Sequence, residues 1–113
     1  MKEADIKAMK NAILGKSYDL SVAFVSSNKI RKFNLIYRNK NKPTDILSFP
    51  LSKKEGEIYI CKAEARKEAK KFDRGYDNFL RFLLIHGLVH LKGYDHGSTM
   101  ENMEASFRKK FGV

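Results

Sequence analysis

Phe79-Leu-Arg-Phe-Leu-Leu-Ile-His86-Gly-Leu-Val-His90-Leu-Lys-Gly93-Tyr-Asp-His96 is the stretch from which the fold of this chain is read. From Phe79 to Lys92 it is apolar on nearly every side, and a helix of that kind belongs in the middle of a domain, covered all round. Gly93 can take a positive φ, which ends the helix and turns the chain back. On the other side Gly75 breaks the preceding pattern, and Asp77 or Asn78 is placed to cap the helix. The rest of the chain must therefore supply the layers that cover this one segment.

Moving outward, Lys62 to Phe72 reads as a strongly charged helix in which Glu64 and Glu68 pair with nearby lysines on a solvated face. Before it lie three strand candidates. Glu57 to Cys61 follows a turn at Lys53 to Gly56, Thr44 to Phe49 is stopped by Pro50, and Tyr18 to Val25 is rich in β-branched and aromatic residues. Ser26 or Ser27 could cap a helix running through Ile30, Phe33, Asn34 and Tyr37, followed by a basic polar loop from Asn39 to Pro43. Lys2 to Leu14 has apolar residues at helical spacing and ends at Gly15. Thr99 to Phe111 closes the chain as an amphipathic helix with Met103, Phe107 and Phe111 facing inward. Residues 1–113 are expected to form a single domain of class α+β: a small mixed β-sheet of three or four strands, packed with helices around a central buried helix.

The three histidines of the chain all fall in the opening stretch. His86 and His90, four apart, share one helical face about one turn apart, and the turn at Gly93 can bring His96 round to them. Three neutral imidazoles and an open fourth position are a common catalytic arrangement for zinc. A lone histidine on a buried helix is more often a core residue with a satisfied hydrogen bond. Two of them with a converging third, each otherwise needing its own partner in an apolar setting, point to a metal. The same spacing occurs in metzincin proteases, but there a glutamate follows the first histidine as general base, and here that position is Gly87. Asp95 reads either as a partner orienting a ligand imidazole or as a turn residue.

The formal net charge is +10, from 23 Lys and Arg against 13 Asp and Glu. So large an excess on so small a chain favours a polyanionic partner, nucleic acid before membrane. The basic residues are grouped, with Arg38, Lys40 and Lys42 in one cluster and Lys62, Arg66, Lys67, Lys70, Lys71 and Arg74 in another. Hydrophobic residues make up 42%, enough to build a core. The longest apolar stretch, Phe79 to Leu91, is interrupted by Arg81, His86 and His90, whereas a membrane span needs roughly 20 apolar residues. The N-terminal sequence has no apolar run of the kind a secretory signal carries. With one cysteine no intramolecular disulfide can form, so a cytoplasmic location is expected; Cys61 itself reads as a small buried residue.

At three places the sequence resembles a known family. His86-Gly-Leu-Val-His90-Leu-Lys-Gly93-Tyr-Asp-His96 is similar to the signature of the YbeY family of rRNA maturation factors, endoribonucleases of bacteria. Asn34-Leu-Ile-Tyr37-Arg38 through Pro43-Thr44-Asp45-Ile-Leu-Ser48-Phe49-Pro50 resembles that family's LNxxYRxxxxPTDVLSFP block. Gly56-Glu57-Ile58-Tyr-Ile60 resembles its GDIxI strand, with Glu57 where the family prefers Asp. The chain is shorter than is usual for the family at the N-terminus and between Pro50 and Gly56.

The resemblance implies that His86, His90 and His96 bind one zinc ion per chain and that Arg38 and His86 act in catalysis. Arg38 would grip a phosphate bidentately as charge builds. The activity implied is single-strand-specific RNA cleavage serving rRNA maturation at the small-subunit 3′ end and ribosome quality control. The partners would be rRNA and ribosomal-subunit components, with no membrane. Two rival expectations are a ribosome-associated RNA-binding module whose metal is structural, and a zinc peptidase that draws its base from elsewhere in the chain.

Overall fold

The computed structural model describes residues 1–93 and 97–113. Its elements in chain order are α1 (Glu3–Leu14), β1 (Asp19–Phe24), α2 (Ser27–Arg38), β2 (Ile46–Ser52), β3 (Glu55–Ile60), α3 (Lys62–Lys71), α4 (Tyr76–Leu91) and α5 (Ser98–Phe111). The class is α+β. Among the described residues the sheet has three strands in the order β1-β3-β2, parallel between β1 and β3 and antiparallel between β2 and β3.

The sheet has two unlike faces because successive side chains alternate along β3. Ile58 and Ile60 are fully buried on the face toward α4, in a core shared with Met9, Ile13, Phe79, Leu84, Leu88 and others. Tyr59 points the other way, into a smaller cluster where Ile30 of α2 meets Leu47 and Cys61. The central helix is α4. Its buried residues run from Phe79 and Leu80 to Val89 and Leu91, and it packs against β2, α1, α3 and α5. Each Leu, Ile or Phe fully buried there stabilises by about 1.5–3 kcal/mol, so α4 ties the layers together.

Several boundaries differ from the sequence reading, each for a local reason. β2 does not stop at Pro50 but continues to Ser52, with a register shift between Pro50 and Ser52. Proline is tolerated there because β2 is an edge strand and no ladder partner needs its missing N–H. β3 begins at Glu55, inside the expected turn, and ends at Ile60, leaving Cys61 as the N-cap of α3. Helix α4 starts at Tyr76 behind an N-cap at Gly75, and neither Asp77 nor Asn78 caps it. Asp77 instead accepts from the N-terminal ammonium at 2.6 Å and from Arg81 Nε at 3.0 Å, and Arg81 also reaches Asp5 at 3.0 Å, fastening α1 to α4. Ser26 is the residue that caps α2, accepting from the Lys29 N–H at 3.2 Å. Gly93 has φ +105°, the left-handed turn expected after the central helix. Met103, Phe107 and Phe111 pack inward from α5.

Candidate active site

His86 and His90 lie one helical turn apart on α4, both half-buried. Their exposure distinguishes them from their neighbours, since Ile85, Gly87, Leu88 and Val89 are buried. His96 and Asp95, the third expected ligand and its possible partner, lie outside the described residues. Among the described residues no group of three metal-ligating side chains gathers.

The residue that holds His86 comes from α5. Glu104 Oε1 stands 2.7 Å from His86 Nδ1, and Glu104 is buried at 5% exposure. In a neutral imidazole facing an ionised carboxylate, Nδ1 is the donor and Nε2 is left as the ligating nitrogen. The donor set fits a divalent metal on this observation: two imidazoles on one face, the first engaged at Nδ1 by a buried carboxylate, the usual partner of a histidine that ligates through Nε2. Sequence reading missed Glu104. Its signal was an acidic residue four after Met100 and three before Phe107, on the apolar face of α5.

His86 opens into a cavity of about 350 Å³ between α4, α5 and the start of β2, lined also by Asp45, Phe72, Phe82 and Glu104. Arg38 does not line it. As the last residue of α2, exposed, Arg38 lines a second cavity of about 610 Å³ with Lys40, Lys42, Lys67 and Lys71, and with Glu64 and Glu68, which pair with Lys67 at 3.2 Å and with Lys71 at 2.9 Å. The loop carrying the first two lysines is pinned to α2. Asn34, 3% exposed, donates to the Lys42 carbonyl at 2.9 Å, and Arg31 reaches Asn41 at 2.7 Å. Asn39 takes the left-handed conformation (φ 55°) that ends α2 and starts this loop, as asparagine does more readily than most residues.

Asp45 belongs to the walls of both cavities. Burial, with the negative charge of Glu68 adding to it, pushes its carboxyl above the ordinary aspartate range, against the opposing pull of its backbone hydrogen bonds. So a channel on the α2–α3 side, in which five cations outnumber three carboxylates, and an imidazole-bearing cleft on the α4–α5 side meet at one residue. The first suits the phosphates of a polyanion, and the second suits a metal and the reaction it assists. No helix among the described residues is long and apolar enough to cross a membrane.

Residues 2–111 match the family model described as Endoribonuclease YbeY. A Staphylococcus carnosus protein named Endoribonuclease YbeY is 35% identical, over 91% of this chain and 75% of its own length. A Thermotoga maritima protein of the same name is 36% identical, over 80% of this chain and 62% of its own length. The solution structure of TM1509 from Thermotoga maritima superposes with a TM-score of 0.69 at 29% identity, covering 96% of this chain and 81% of the other.

Proposed function

The chain belongs to the endoribonuclease YbeY family, hydrolases of RNA phosphodiester bonds, and from that premise we propose a zinc-dependent, single-strand-specific endoribonuclease. Its task would be rRNA maturation at the small-subunit 3′ end and ribosome quality control in the cytoplasm, with ribosomal-subunit components as partners. The observation that carries the reading is the meeting of the His86 cleft and the Arg38 channel at Asp45.

In this proposal His86, His90 and His96 hold one zinc ion. Bound zinc supplies Lewis acidity toward a phosphoryl oxygen or water. The protein does the rest. Lys40, Lys42, Lys67 and Lys71 hold the RNA backbone through its phosphates, without reading sequence. Arg38, with its planar fork of donors, steadies the phosphate on which negative charge grows. Glu104 keeps the His86 ring turned toward the ligand position.

The experiment is elemental analysis of the purified protein together with cleavage of single-stranded RNA, on wild type, His86→Ala and Arg38→Ala. The expected outcome is about one zinc per chain in wild type, metal and cleavage lost together in His86→Ala, and metal retained with cleavage reduced in Arg38→Ala. Cleavage that survives the loss of metal would place the nuclease activity elsewhere. Unaltered cleavage by Arg38→Ala would remove that residue from the mechanism.

A further inference from the structure

Part of the wall of the His86 cleft is built of rings. Phe72 stacks on Phe79 with centroids 5.5 Å apart and lies 5.7 Å from Phe82; Phe79 and Phe82 are themselves stacked at 5.5 Å. All three line the cavity into which His86 opens. Phe79 is buried, but Phe72 is 54% exposed, a large apolar surface left in water inside a cleft. Its position is set by the turn between α3 and α4. Phe72 is the C-cap of α3, Asp73 follows with φ 52°, and the Arg74 N–H closes the turn on the Ala69 carbonyl at 3.1 Å.

Cations rim these rings. The guanidinium carbon of Arg74 lies 4.5 Å from the Phe82 centroid and that of Arg108 5.4 Å from it. Arg74 is also held by Asn78, and Arg108 by Glu101 at 3.1 Å. Within the cleft itself the charged groups beside His86 are carboxylates: Asp45, Glu101 and Glu104. Beyond the phosphate that would react at the His86 centre, the described lining residues offer no lysine or arginine to a second phosphate. A nucleobase suits this lining, with a flat face for the ring and N–H edges for carboxylate acceptors. The arginines at the rim suit the phosphate to which that base is attached.

We propose that Phe72 is a stacking platform for one nucleobase of single-stranded RNA, holding the nucleotide beside the His86 centre. The proposal rests on the RNA-cleaving reading above and adds a physical origin for strand preference. In a duplex every base is already stacked and paired, so none is free to lie on a protein ring, whereas an unpaired base can turn out onto it. Stacking of this kind is tolerant of base identity because every base has a π face.

The test is fluorescence anisotropy with a labelled RNA 9-mer, checked to be intact after each titration. Three ligands are compared: the single strand, its duplex, and an abasic ribose-phosphate strand of the same length. The proteins are wild type, Phe72→Ala and Phe72→Tyr, each confirmed folded by circular dichroism; Phe72 is half in water, so its removal takes little from the core. Phe72→Ala is expected to weaken single-strand binding by roughly 5- to 150-fold. Phe72→Tyr is expected to restore it, while duplex and abasic binding stay at the wild-type level. If Phe72→Ala binds the single strand as wild type does, the platform is refuted while the nuclease reading stands. Equal losses on base-bearing and abasic strands would refute it too. Wild-type protein that binds none of the three RNAs would bring down both readings.

Discussion

Glu104 shows how one side chain outside the motif can govern the residues within it. A carboxylate buried at 5% exposure is costly unless its oxygens are engaged, and Glu104 meets the His86 ring at 2.7 Å. With zinc bound, that hydrogen bond raises the basicity of the imidazole and fixes its rotamer. Glu104→Ala is therefore expected to lower zinc affinity by about 10- to 100-fold, measured by competition with a chromophoric chelator. Glu104→Gln, which keeps an acceptor for Nδ1–H and loses the charge, should lie between. Identical affinities for wild type and both variants would show that the contact only packs α5. The family blocks at Asn34–Pro50 and His86–His96 contain neither this residue nor a pointer to it. What was legible was only an acidic residue in an apolar stripe, a pattern with several meanings until α5 is laid on α4.

At the scale of elements, α4 and the sheet approach more closely than an ordinary helix and sheet would. A Cβ added at Gly87 would lie 2.8 Å from Ser48 Oγ, 3.0 Å from Ile46 Cδ1 and 3.1 Å from Ile58 Cδ1. Gly87 is thus the point where α4 is pressed onto β2 and β3, with His86 next to it. This explains the glycine where a metzincin would carry its glutamate: a side chain there would run into the sheet, and a carboxylate would be buried among apolar groups. Gly87→Ala sets overpacking of about 1–3 kcal/mol against the roughly 1 kcal/mol by which alanine improves helix propensity. The net expectation is a loss of up to about 2 kcal/mol, read from the midpoint of urea unfolding at unchanged slope. A variant more stable than wild type would mean that the two isoleucines and Ser48 give way freely. Element boundaries were less legible than element identities. Pro50 reads as a strand stop because sequence alone does not reveal that β2 is an edge, and Asp77 reads as a cap because its partners, the N-terminus and Arg81, are set by the packing of α1.

The whole molecule carries a formal charge of +10, and the fold concentrates part of it. Arg38, Lys40 and Lys42 come from the end of α2 and the loop after it, Lys67 and Lys71 from α3, and all five line one cavity. Each phosphate they neutralise releases counterions, at about 0.7 per phosphate for a single strand. The logarithm of RNA affinity is expected to fall against the logarithm of salt with a slope of roughly −3.5 if all five engage. Lys67→Ala should reduce that slope by about 0.7 and weaken all single-stranded sequences alike. A salt-independent affinity would exclude this channel as the track of the backbone.

The sequence by itself determined that a buried central helix carries His86 and His90 and that the class is α+β, and its charge favoured a polyanionic partner. These follow from periodicity, residue type and charge, which are local or additive properties. Tertiary structure alone decided that Glu104 meets His86, that Asp45 joins the two cavities, and that Phe72 faces the cleft from the turn after α3. Each of these depends on the distance between elements far apart in the chain. That distance is set by how closely α4 can lie on the sheet and α5 on α4, which is a matter of packed volume rather than of pattern.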